Sequence, residues 1–358
     1  ESHRSINGNS RAVFEYFLGY KLGLTATPKD YIKNIDVEKL KATDPRAWEK
    51  RQLLDSYKTF GCESGDPTYR YSLLDGVRDG YLINPTVVDA RTDITTKLLA
   101  DEGYAVISQG DEADEEQEET YFARDFEKKF FSEETNKMFV KTFMDNALRD
   151  PITGEIGKGI IFCVSRKHAA KITQLLNVYA DMMFPGKYCS DFAMQITSDV
   201  MNAQTYTINF QNNNLSGTTS FLEGYKSSKT RICVTVGMMT TGYDCEDLLN
   251  IGLLRPIFSP TDFIQIKGRG TRKHDFVFKE RNGSQEIVHK YPKETFRLFD
   301  FFGNCEYFEE KFDYDEVLKL PRFQGSSVSP DTPPVDQDGY ENFAPDPLKT
   351  LVETQIGA

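Results

Sequence analysis

The segment Ser259 to Arg272, SPTDFIQIKGRGTR, gathers the residue types that handle a triphosphate. Ser259 can N-cap a helix whose first residue is Pro260, with Asp262 in the positively polarised first turn. If the turn continues, Gln265, Gly268, Arg269 and Arg272 stand at i, i+3, i+4 and i+7. That spacing puts one amide and two guanidiniums on one face, with Gly268 where something must approach closely. Arginine stabilises charge spread over γ-phosphoryl oxygens, and glutamine can orient an attacking water. A solvated basic helix face has the same spacing, and the segment alone does not separate the two.

A second group of hydroxyls stands in Gly23 to Pro28, GLTATP, which reads as a strand end followed by Thr25, Thr27 and a proline that bars a helix. Hydroxyls at a strand terminus can relay between a phosphate site and a neighbouring domain. An ordinary proline turn is the plainer alternative.

Elements must hold these side chains in place. The runs Gly159 to Val164 (GIIFCV), Phe192 to Ile196 (FAMQI), Ile232 to Val236 (ICVTV), Ile251 to Leu254 (IGLL) and Thr295 to Phe301 are short, apolar and separated by helical stretches. This predicts an α/β fold with a parallel sheet buried on both faces. Ile172, Leu175, Leu176 and Tyr179 have the spacing of a helix laying one face on such a sheet. Residues 1–80 hold only part of a comparable unit, with a strand expected over Tyr20 to Thr25 and a helix over Ser72 to Asp79. The expected division is therefore the back part of a first domain over 1–80, a nearly complete second domain over 81–310, and a linker or arm over 311–358.

Composition bounds the function. The chain of 358 residues has 43 basic and 55 acidic side chains, a net charge of −12, so diffuse adhesion to polyanions is not expected and any nucleic-acid contact must be local. No apolar run approaches the roughly 18 residues of a membrane span. The cysteines Cys62, Cys163, Cys189, Cys233, Cys245 and Cys305 lie far apart with no CxxC pair, which fits reduced thiols and a cytoplasmic setting. Cys163, Cys233, Met238 and Met239 are expected to serve packing, and His168 to lie on a helix surface. Residues 111–119, DEADEEQEE, spell an acidic box but come after the motifs it should precede, and read as a solvated loop. Gly325 to Pro347, rich in Ser, Pro, Asp and Gly, reads as a linker or crossing arm.

Taken in order, Glu1-Ser2-His3, GLTATP, GIIFCVSRKHA, ICVTVGMMTTGYDCEDL and QIKGRGTR resemble the DExH box and motifs III, IV, V and VI of superfamily 2 helicases and translocases. With YRYSLLDGVRDGYL, SEETNKMF and DPITGEIGKGIIFCVSRKHA they resemble, over about three quarters of the chain, the motor subunits of type I restriction enzymes. The resemblance implies RecA-like parallel sheets with flanking helices. It also implies ATP with Mg²⁺ as cofactor, double-stranded DNA as track, and methyltransferase and specificity subunits as partners. Other superfamily 2 helicases, acting on DNA or RNA, and a non-catalytic nucleic-acid-binding module are the alternatives.

Carried over residue by residue, the resemblance makes Glu1 the group that polarises the attacking water and His3 its link to the second domain. Thr25 and Thr27 fall in motif III. Gln265 becomes a γ-phosphate sensor, Arg269 and Arg272 arginine fingers, and Gly242 with Asp244 the motif V element at the nucleotide. Ser165, Arg166, Thr197, Thr235 and Thr241, at ends of predicted strands, would hold DNA phosphates without reading bases. A chain beginning at Glu1, without a lysine-bearing phosphate loop, the first box aspartate or a nuclease domain, is expected to be a fragment that is inactive alone.

Overall fold

The computed structural model describes residues 16, 17, 19–25, 60–62, 67–71, 73–90, 96, 131–240, 242–282, 285–311 and 341–342. In chain order these form α1 (Leu73–Arg78), β1 (Pro85–Asp89), α2 (Glu133–Asn146), β2 (Gly159–Cys163), α3 (Arg166–Met183), β3 (Ala193–Gln195), α4 (Ala203–Gln211), β4 (Thr218–Leu222), β5 (Tyr225–Ser228), β6 (Ile232–Thr235) and β7 (Asn250–Leu254). Then come α5 (Pro260–Gly268), β8 (Asp275–Asn282), β9 (Gln285–Pro292), β10 (Phe296–Asp300), α6 (Asn304–Lys311) and β11 (Glu341–Asn342).

Seven strands build one sheet in the order β11-β1-β10-β7-β2-β6-β3, and every pairing in it is parallel. β2, β6, β7 and β10 are buried at every position, as runs rich in Ile, Leu, Val and Phe must be when helices cover both faces of a parallel sheet. The five apolar runs singled out in the sequence are these four strands and β3.

Helix starts follow local chemistry. Ser132, Ser165 and Ser259 cap α2, α3 and α5, each side-chain oxygen accepting a backbone N–H three residues on. On α3 the predicted face is the one buried, with Ile172 and Leu176 in the core and Leu175 and Tyr179 packed at its margin. α1 forms where expected.

Several expectations are corrected. Residues 20–25 form no strand, and Tyr20, Leu22 and Leu24 stand largely exposed. Alternating apolar residues make a strand only beside a hydrogen-bonded neighbour, and no described strand lies next to them. His168 is fully buried rather than on the surface, its Nε2 3.0 Å from Asn136 Oδ1 and its ring 4.0 Å from that of Phe131. Burial pulls its pKa down to about 3, so it is a neutral ring tying α3 to α2. The antiparallel hairpins β4–β5 and β8–β9 were not anticipated. The described cysteines are free thiols, and Cys163, Cys233 and Met239 lie in the core as expected. Residues 111–119 lie outside the described residues.

Candidate functional site

α5 begins at the C-terminal edge of the sheet and runs back across it. Asn304, fully buried, fixes its entry: Oδ1 accepts Ile257 N–H at 2.7 Å and Nδ2 donates to Arg255 O at 3.2 Å. Arg255 in turn donates to Val236 O at 3.2 Å and approaches Asp262 in the first turn of α5. Nine residues at 1.5 Å per residue then carry the chain about 13 Å to the far end of the helix.

The predicted single helical face is not what forms there. α5 ends at Gly268, Arg269 is its C-cap, and Arg272 has left the helix for an antiparallel bridge with Leu82. The two arginines converge by another route. Gln265 is buried, Arg269 Nε donates to Gln265 O at 3.1 Å, and an Arg269 terminal nitrogen donates to Tyr243 O. Arg272 Nε donates to Asp244 Oδ1 at 3.0 Å. The crossover loop between β6 and β7 therefore meets the turn after α5. Its path requires positive φ at Gly242 (+70°) and imposes +66° on buried Met239.

The close approach expected at Gly268 occurs at Gly270. A Cβ on Gly268 would meet nothing within 4 Å among the described residues, whereas one on Gly270 would sit 2.2 Å from Phe296 Cδ2. Lys293, only 5% exposed, donates to Glu246 O and Gly270 O, each at 2.9 Å.

A second cluster lies at the opposite, C-terminal edge, where β2 and β3 end. Ser165 Oγ caps α3. Arg166 reaches Ser198 Oγ at 3.4 Å and Asp199 Oδ1 at 3.7 Å, and Thr197 donates to Asp199 Oδ1 at 2.6 Å while accepting from Gln195. The hydrogen bond from Thr197 and the Arg166 charge hold the Asp199 carboxyl below its ordinary range. Ser165, Arg166 and Thr197 are thus brought together, beside a carboxylate that was not anticipated. Thr235 does not join them: it is fully buried and its hydroxyl has no partner among the described residues. Thr25 is half-buried on the segment without a strand. Glu1, His3, Thr27 and Thr241 lie outside the described residues.

No family model matches the chain. Over 325 residues it is 28% identical to the EcoAI type I restriction enzyme endonuclease subunit of Escherichia coli, covering 87% of this chain and 32% of that protein. Over 302 residues it is 25% identical to the EcoKI endonuclease subunit of Escherichia coli K12, covering 81% of this chain and 20% of that protein. The chain is a relative of type I restriction endonuclease subunits. It spans about a third or less of the length of the curated relatives it matches. A solved fragment named as an HsdR subunit of a type I restriction enzyme from Vibrio vulnificus is 24% identical, with a TM-score of 0.43, over 73% of this chain and 38% of that one.

The turn after α5 brings two guanidiniums, those of Arg269 and Arg272, to one loop, and guanidinium donors suit a terminal phosphate. Among the described residues no three His, Cys, Asp or Glu side chains are grouped to hold a metal ion, and no helix is long and apolar enough to cross a membrane. Lys293, Asn304 and Asp199 were missed in the sequence. Each acts through partners distant along the chain or through main-chain atoms, and no motif marks such contacts.

Proposed function

We propose that the chain is the motor part of an ATP-driven, double-stranded DNA translocase of a type I restriction-modification system, hydrolysing ATP to move along DNA before cleavage. Its partners would be methyltransferase and specificity subunits, and its setting the cytoplasm. Residues 1–80 would belong to a first RecA-like domain, 81–310 form the second, and 311–358 serve as linker or arm. The observation that carries this reading is the convergence of Arg269 and Arg272 on the Gly242–Asp244 loop through bonds to Tyr243 O and Asp244.

Bound ATP supplies the phosphoanhydride whose cleavage drives movement. Arg269 and Arg272 bind the γ-phosphoryl oxygens and balance their charge, and Gln265 orients water at the same group. Arg272 exchanges Asp244 for phosphate and returns to it afterwards. Mg²⁺ would accompany ATP in the intact protein, and among the described residues no three His, Cys, Asp or Glu side chains are grouped to hold it. At the other sheet edge Ser165, Arg166 and Thr197 grip DNA phosphates, positioning the duplex without reading its sequence.

In the intact protein, Arg269→Ala and Arg272→Ala are expected to lower DNA-stimulated ATP hydrolysis by about 10³-fold while DNA binding survives. Near-normal turnover in both variants would leave the two arginines with structural roles alone, at Tyr243 O and Asp244.

A further inference from the structure

Lys293 precedes β10 and belongs to no motif noted in the sequence, yet it is 5% exposed. Its ammonium donates to two main-chain carbonyls rather than to a carboxylate. A buried ammonium is costly unless its donors are needed, and an apolar side chain of the same length would fill the space more cheaply. The two carbonyls explain the choice. Glu246 lies two residues beyond Asp244 on the crossover loop, and Gly270 lies between Arg269 and Arg272 on the turn after α5. Phe296 closes the other side of that turn, since even a methyl group on Gly270 would collide with its ring. The backbone of Lys293 is itself held, its N–H donating to His274 O at 2.8 Å. We propose that Lys293 is a positioning residue that clamps these two loops together, holding Arg269, Arg272 and Asp244 in register for the terminal phosphate. The proposal rests on the nucleotide reading of that cluster.

The clamp is sensitive to pH. Burial pulls the Lys293 ammonium down to about 8, against the attraction of Cys245, Asp247 and Glu246 and with the repulsion of Arg272. His274 Nδ1 lies 3.6 Å from Glu246 Oε2 on the same side. Below about pH 8 both carbonyls receive charge-assisted hydrogen bonds, and above it the neutral amine holds them more weakly.

The test uses the intact protein and compares wild type, Lys293→Met, Lys293→Arg and Arg269→Ala. Hydrogen exchange at residues 242–247 and 268–272 should rise about tenfold in Lys293→Met while β2 and β6 keep their protection. DNA-stimulated kcat should fall about 10- to 100-fold in the same variant, with KM for ATP changed less than about threefold. Wild-type kcat should decline above about pH 8, and Lys293→Arg, charged at every accessible pH, should lose that decline. Unchanged exchange in Lys293→Met overturns the clamp whatever the site binds. Raised exchange with normal kcat, where Arg269→Ala is inactive, overturns its role in positioning. Normal turnover in Arg269→Ala overturns the nucleotide reading and the proposal with it. Should Lys293→Met fail to fold, a Lys293→Arg profile superimposable on wild type is the overturning result.

Discussion

Arg272 Nε lies 3.0 Å from Asp244 Oδ1, pairing the end of the α5 turn with a loop residue 28 positions earlier. Both side chains are about half exposed, at 45% and 54%, so solvent screens the pair. It is a resting place for the guanidinium rather than a structural tie. Asp244→Ala should accordingly lower stability by less than about 1 kcal/mol in urea denaturation. A larger loss would show that the pair holds the crossover loop in place.

The two glycines of the turn should behave oppositely. Gly270→Ala places a methyl 2.2 Å from Phe296 Cδ2 and should cost about 1–3 kcal/mol or more. Gly268→Ala enters open space at the end of α5 and should be neutral or stabilising by about 0.5 kcal/mol. Melting temperatures of the two variants check the contrast.

Buried Asp247 bonds Lys158 at 2.8 Å and accepts from Asn213 and Cys245. Burial alone would raise its carboxyl, but Lys158 and these hydrogen bonds outweigh it and bring the pKa from 3.8 down to about 2. A folded value below the unfolded one means that the stabilisation is complete above about pH 4 and is lost as pH falls through about 2. Asp247→Asn should destabilise by about 3–5 kcal/mol at neutral pH, with the gap to wild type closing across that window.

For DNA, Arg166→Ala in the intact protein should weaken binding equally on unrelated duplexes and lower the salt slope by about one unit. Thr235→Val should leave affinity unchanged and be neutral to stabilising, because it removes a buried hydroxyl without a partner among the described residues. Affinity against salt concentration decides both, and an unaltered slope for Arg166→Ala removes residue 166 from the track.

The 358-residue chain contains no GxxxxGK[ST] phosphate loop, so the chain alone should show no DNA-stimulated phosphate release. Turnover near ~1 s⁻¹ would reveal a nucleotide site built without such a loop.

What could be read from the sequence rests on interactions that are local. Ser259, Pro260 and Asp262 specify the start of α5 within one turn, and the apolar runs specify buried parallel strands because a residue hidden on both faces must be apolar wherever its neighbours come from. The motif order likewise survives without any knowledge of contacts. What the tertiary structure decided are the relations between segments. The end of α5 at Gly268 and the bridge from Arg272 to Leu82 break the expected single face, and Asp244 restores the convergence from a loop between two other strands. His168 is buried because Phe131 and Asn136 cover it. The close-packed glycine is Gly270 because β10 brings Phe296 against it. Lys293 is drawn in by two carbonyls, and a carbonyl is common to every residue, so the pattern of side chains along the chain carries no trace of it.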